Sequence, residues 1–308
     1  MNAVTMFPGQ GSQSVGMLEA VAEQNPVIQQ RFAEASDVLS FDLWQLTQHG
    51  PAEVLGQTEN TQPALLTASV ALWNALQELR AEPLNVQAMA GHSLGEYSAL
   101  VCAGAISFAD GVRLVRKRGE LMQQAVPNGE GGMAAILGLD DATVQECCAA
   151  VSGVVAAANY NAPGQIVIAG AKSAITAAID ACKQAGAKRA LALNVSGPFH
   201  SPLMEPAAEE FAAVLSEIPV LMPQIPVVQN VDAKVAADVQ EIRSKLVSQL
   251  SAPVRWTETI EHLLSAGAEQ FIEAGPGNVL CGLVKRIARG TPAIALSSQE
   301  DLELVAGM

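Results

Sequence analysis

A serine at the tip of a strand-to-helix turn is the first candidate for chemistry in this chain. Ala88-Met89-Ala90 runs into Gly91-His92-Ser93-Leu94-Gly95, and the Ala-rich apolar segment Ala99-Leu100-Val101-Cys102-Ala103 follows. Apolar strand, sharp turn and buried helix are the setting of a nucleophile elbow. Gly91 and Gly95 carry no Cβ, so strand and helix can close tightly around a strained turn. Ser93 Oγ would then stand exposed, with the N–H of Leu94 aimed at any oxyanion formed on a Ser93 ester.

Serine is a weak nucleophile at neutral pH and needs a base. The chain has four histidines: His49, His92, His200 and His262. His92 adjoins the serine and is expected to point away from it, while His49 and His262 lie on polar stretches. His200 follows the loop Gly197-Pro198-Phe199. It is expected at the mouth of a strand, where catalytic groups of open α/β sheets gather, and is the candidate base. A hydrolase triad adds an acid between serine and histidine in chain order. Asp110, Glu120, Asp140, Asp141 and Asp180 read instead as caps, helix surface or insert residues. Either the third member is not visible, or a neutral acceptor orients His200. Arg118 is a further candidate. It closes a cluster with Arg113, Arg116 and Lys117 on the helix predicted over 108–125, most of which reads as a solvated face. Gly119 costs that helix ~1 kcal/mol against alanine. A glycine there implies close packing, which turns Arg118 inward.

The elements that must position these residues read as α/β. Half of the 308 residues are hydrophobic, 16% are charged and aromatics are few, which suits α/β layers. Val4–Phe7 is expected as a central parallel strand running into the turn Pro8-Gly9-Gln10-Gly11. Helices are expected over 25–36, from about 61 to 80, over 205–217, 242–250 and 257–266, and to about 287 after Gly275-Pro276-Gly277. Strands are expected over 225–228, 269–273 and 293–296. Pro127 to Gly132 reads as a linker. After it the pattern over 133–195 is β-α-β-β-α-β, the ferredoxin-like order. The expected fold is thus a hydrolase-like parallel-sheet core, 1–126 with 198–308, carrying an inserted ferredoxin-like subdomain at 127–197.

The formal net charge of −14 argues against nucleic acid as a partner. No run reaches 18 apolar residues, so no membrane span is expected. The five cysteines are odd in number and lack C-x-x-C spacing. Free thiols, no metal and a cytoplasmic location are expected, with no secretory leader.

Phe7-Pro8-Gly9-Gln10-Gly11-Ser12-Gln13, Gly91-His92-Ser93-Leu94-Gly95-Glu96-Tyr97-Ser98-Ala99-Leu100, Asn161-Ala162-Pro163-Gly164-Gln165 and Gly275-Pro276-Gly277 resemble the bacterial malonyl-CoA:acyl-carrier-protein transacylases of fatty acid synthesis, in order and spacing along the whole chain. The resemblance implies a ping-pong transfer of malonyl from malonyl-CoA to the phosphopantetheine thiol of holo acyl carrier protein, with no cofactor. It implies Ser93 as nucleophile, His200 as base and acid, and the Gln249 main-chain carbonyl as the group that holds His200. The N–H groups of Gln10 and Leu94 would form the oxyanion hole. Arg118 would pair with the malonyl carboxylate, with Gln10, His92, Asn161 and Phe199 also in substrate binding. Phe199 would crowd a branched α-carbon and disfavour methylmalonyl. The carrier of this family is acidic, so docking would use local cations among Lys172, Lys183, Lys188, Arg189, Lys285, Arg286 and Arg289. A monomer is expected. Two alternatives stay open: an acyltransferase serving a polyketide or polyunsaturated lipid synthase, and a serine thioesterase or esterase.

Overall fold

The computed structural model describes residues 2–127, 129–195 and 197–308; Asn128 of the expected linker lies outside them. Among the described residues ten strands form two sheets: β1 (Ala3–Phe7), β2 (Ala88–Gly91), β3 (Gly131–Leu137), β4 (Val155–Ala162), β5 (Gln165–Ala171), β6 (Arg189–Ala192), β7 (Val227–Gln229), β8 (Lys234–Val235), β9 (Gln270–Glu273) and β10 (Ala293–Ala295).

The larger sheet has the order β10-β9-β1-β2-β7-β8. Every pair is parallel except β7 with β8. β1 lies at the centre of the sheet, between β9 and β2, and is buried at every residue, as a strand covered by helices on both faces must be. The short antiparallel strand β8, at the sheet edge, escapes a sequence reading because two exposed residues carry no period. The smaller sheet is antiparallel with the order β4-β5-β3-β6. Helices Asp141–Ala149 and Lys172–Gln184 connect its strands, and its own core of Ile136, Ile166, Ile168, Ile175 and Cys182 is separate from the main one. β4 is seated on the main body: Tyr160 N–H donates to Val254 O (2.9 Å) and Val254 N–H to Ala158 O (2.9 Å).

Several boundaries differ from expectation for stated reasons. The helix expected from about residue 61 spans Thr58–Glu78, with Pro63 inside it. Proline removes the donor for the Glu59 carbonyl, and Arg116 Nη1 supplies it instead at 3.1 Å. The helix expected at 242–250 is Val239–Ser248, begun by the Asp238 cap, which accepts from the Glu241 N–H. Helices Leu43–His49 and Gln299–Ala306 had no strong apolar stripe to announce them. No helix among the described residues is long and apolar enough to cross a membrane.

Candidate active site

Ser93 sits between β2 and the helix Leu94–Cys102, with φ 51° and ψ −106°. That left-handed backbone is strained for a residue with a Cβ, and close packing enforces it. A Cβ on Gly91 would lie 1.9 Å from Gly95 C, and one on Gly95 would lie 1.9 Å from Phe7 O. The elbow helix is therefore pressed directly onto the ends of β1 and β2. Asn230, just past β7, clamps the turn: its Oδ1 accepts from Ser93 N–H (2.7 Å) and its Nδ2 donates to Gly91 O (2.7 Å).

His200 lies in a turn ahead of the short 3-10 turn Pro202–Met204 and the helix Glu205–Ser216, not at the mouth of a strand as expected. It too has a left-handed φ, 59°. Its Nδ1 lies 2.7 Å from the Gln249 carbonyl. A carbonyl only accepts, so Nδ1 carries the proton and Nε2 is left as the acceptor. Ser93 Oγ is 2.7 Å from that Nε2 and donates to it. Burial and the charge of Arg118 push the His200 pKa down to about 3, so the imidazole is neutral and free to accept a proton.

Arg118 is 1% exposed. A Cβ on Gly119 would lie 2.6 Å from Glu59 Cα. The helix Phe108–Gln124 thus packs backbone to backbone on the helix Thr58–Glu78, and Arg118 turns inward. Its Nη1 donates to Gln62 Oε1 (2.9 Å), and its Nη2 to Ser93 Oγ (3.2 Å) and Gln249 Oε1 (3.0 Å). The guanidinium lies 5.1 Å from the Tyr97 ring centroid, while its buried Nε has no hydrogen-bond partner among the described residues.

These side chains meet at one hollow of about 250 Å³. Ser93, His200, Arg118, Gln10, Leu94, His92, Asn161 and Phe199 all line it, and Met122, Met133, Val167 and Leu283 supply apolar wall. Gln249 is fully buried behind it. His92 points away from Ser93: its Nε2 donates to Asn161 Oδ1 (2.8 Å) and its ring lies 5.5 Å from that of Trp256. His49 and His262 are exposed and elsewhere. Gln10 N–H and Leu94 N–H have no partner among the described residues. Sequence reasoning missed Gln62, Asn230 and Glu96. The signal for Glu96 was a carboxylate inside an otherwise apolar elbow helix, directly after Gly95.

A parallel α/β sheet presenting a strained serine against a neutral imidazole defines a serine-dependent acyl-transfer protein. The sequence model of the acyl transferase domain matches residues 4–300, and the chain belongs to that family of acyltransferases. It is 55% identical to the malonyl CoA-acyl carrier protein transacylase of Salmonella typhimurium over 294 residues, covering 95% of this chain and 94% of that protein. The Bacillus subtilis protein of the same name is 48% identical, with 97% and 94% covered. An acyl carrier protein S-malonyltransferase structure from Vibrio cholerae superposes with TM-score 0.96 at 52% identity, covering 99% of this chain and all of that one. A malonyl-transacylase solved in complex with its holo type II PKS acyl-carrier protein gives TM-score 0.97 at 52% identity, covering 100% of this chain and 99% of that one.

Proposed function

We propose that this chain moves a malonyl group from malonyl-CoA to the phosphopantetheine thiol of holo acyl carrier protein, supplying extender units for fatty acid synthesis. The observation that carries the reading is the convergence of His200 Nε2 and Arg118 Nη2 within 3.2 Å of the Ser93 hydroxyl.

In the first half-reaction Ser93 Oγ attacks the malonyl thioester carbonyl and its proton passes to His200 Nε2. The N–H groups of Gln10 and Leu94 receive the oxyanion. As it collapses, the C–S bond breaks and the CoA sulfur takes the proton from His200, leaving a Ser93 malonyl ester. In the second, His200 takes the proton of the carrier thiol, the sulfur attacks the ester, and Ser93 Oγ leaves with the proton returned. Two bonds from the ester carbonyl, the free carboxylate lies within reach of Arg118, whose unpartnered Nε offers a donor beside Nη2. A guanidinium edge binding a carboxylate through paired donors selects malonyl over acetyl. Phe199, on the same wall, disfavours methylmalonyl. His92 and Asn161 hold each other at the rim as substrate contacts.

His200 is held by the carbonyl of Gln249 rather than a carboxylate, so the imidazolium is less stabilised and the ester waits for a thiol rather than water. This chemistry uses no cofactor. We read the enzyme as a cytoplasmic monomer built of a core, 1–126 with 198–308, and an inserted unit, 127–197. A second reading, the same chemistry with a polyketide carrier, is favoured by the likeness to the transacylase solved with its type II PKS carrier.

Incubation with labelled malonyl-CoA should place the label on Ser93, and a chase with holo carrier should remove it far faster than water does. Absence of label, or rapid loss to water, would overturn the reading.

A further inference from the structure

The carboxylate of Glu96 has no part in the steps above, yet it is fully buried in the first turn of the elbow helix. Its Oε1 accepts from Gln229 Nε2 (3.0 Å), and its Oε2 from Asn230 N–H (2.8 Å) and Gln249 Nε2 (3.0 Å). The same Gln249 amide turns its Oε1 to Arg118 Nη2. Among the described residues the side chains that accept from Arg118, those of Gln62, Ser93 and Gln249, are neutral, and Tyr97 lies beside the guanidinium. The carboxylate that acts on its charge is Glu96, one amide away.

We propose that Glu96 is the resident counter-charge of Arg118: a positioning residue that steadies the guanidinium toward Ser93 through Gln249, and that takes a proton from solvent when a substrate carboxylate arrives on Arg118. This rests on the reading that Arg118 grips the malonyl carboxylate. A buried cation left without a counter-charge is costly, and Glu96 answers that need in the empty site. Two carboxylates around one guanidinium repel, and the one that can be neutralised is the one already buried. Burial raises Glu96 to about 7, with its hydrogen bonds and Arg118 acting the other way. A substrate carboxylate cancels the help from Arg118 and drives Glu96 to its neutral form near physiological pH. The incoming proton has a place to go. Gln229 Oε1 is buried without a partner among the described residues, and a turn of that amide, which gives up the long 3.5 Å contact of its Nε2 with Ile242 O, presents it to a Glu96 O–H. An acyl group with no carboxylate leaves Glu96 as it was.

The other titratable groups near Glu96 keep their charge across neutral pH. Tyr97 is raised far above its ordinary value by burial. His200, joined to Glu96 through Gln249 and through Ser93 and Asn230, is pushed down to about 3. Lys245, on the helix leading to Gln249, is occupied by Asp232 and Glu241.

The test is labelling of Ser93 from malonyl-CoA and from acetyl-CoA between about pH 6 and about pH 8, in wild type, Glu96→Gln and Arg118→Ala, with proton uptake on malonylation measured by calorimetry in two buffers. In wild type the malonyl-to-acetyl ratio should fall by roughly fivefold across that range, the effect of a linked shift of about one pH unit from a starting value of about 7, and malonylation should take up protons. Glu96→Gln should hold the ratio flat at or above the wild-type acid value and take up none. A flat wild-type ratio, or a wild-type slope in Glu96→Gln, overturns the proposal while loss of malonyl preference in Arg118→Ala leaves the underlying reading standing. Full malonyl preference in Arg118→Ala overturns both. Should Glu96→Gln fail to fold, the wild-type slope and proton uptake decide alone.

Discussion

At Ser93 and His200 the chemistry depends on which nitrogen holds a proton. The Gln249 carbonyl assigns it to Nδ1, and desolvation keeps the ring neutral. Ser93→Ala should abolish acylation, and His200→Ala should slow it by about 10²–10⁴-fold, both read as label bound per minute. The depressed His200 pKa also has a stability consequence. The unfolded chain binds a proton near 6.5 that the folded imidazole refuses until about 3. This contribution is therefore complete above the unfolded value and is lost as pH falls below it. Glu96, raised to about 7 by burial, acts in the opposite sense: its contribution is complete below the ordinary glutamate range and is lost as pH rises through 7. The fall in Tm from about pH 7.5 to about pH 5 should accordingly be smaller in His200→Asn than in wild type. An equal fall in the two would show that His200 is not held neutral.

Between elements, glycines decide the geometry. Gly95 lets the elbow helix rest on the Phe7 carbonyl, and Gly119 lets the helix carrying Arg118 rest on the Glu59 backbone. In each case a methyl group would meet main chain, which cannot swing aside as a side chain can. Gly95→Ala and Gly119→Ala should each lower stability by about 1–3 kcal/mol or more, seen as a lower denaturant midpoint. They should differ in function. Gly95→Ala moves Ser93 and should slow acylation by malonyl and acetyl alike, whereas Gly119→Ala moves Arg118 and should slow malonyl transfer more than acetyl. Equal losses for both acyl groups in Gly119→Ala would count against a selective role for that helix.

For the molecule as a whole, the charge of −14 would set a repulsive far field against the acidic carrier that the family resemblance implies. We therefore propose that docking falls to local cations. Lys188, Arg189, Lys285 and Arg289 are exposed, while Lys183 is engaged by Asp180 and Arg286 by Gln165. Rising salt should weaken transfer from Ser93 to the carrier while leaving acylation by malonyl-CoA much less changed, because contacts between exposed charges are screened within about 10 Å at 0.1 M salt. Stopped-flow measurement of the two half-reactions separates them, and equal salt dependence would argue against a charged dock.

The one-dimensional pattern was enough for the elbow, the parallel core and the βαββαβ insert, because each is written in local signals: glycines flanking a serine, short apolar runs, and a strand-helix rhythm of regular length. Ser93 was legible for that reason, and a glycine inside a helix, Gly119, pointed to the inward turn of Arg118. The base, its orienter and the remaining site residues were placed by family likeness or by elimination, since His200, Gln249 and Asn161 lie on segments far apart in the chain. Only tertiary structure decided that His200 stands in a strained turn rather than at a strand end, that Pro63 leaves a carbonyl for Arg116, and that Glu96, Asn230 and Gln62 share a buried polar network with Ser93 and Arg118. Hydrogen bonds between residues 153 positions apart, as from Gln249 to Glu96, have no periodicity to read. They exist because the fold removes water from those polar groups and leaves them only each other.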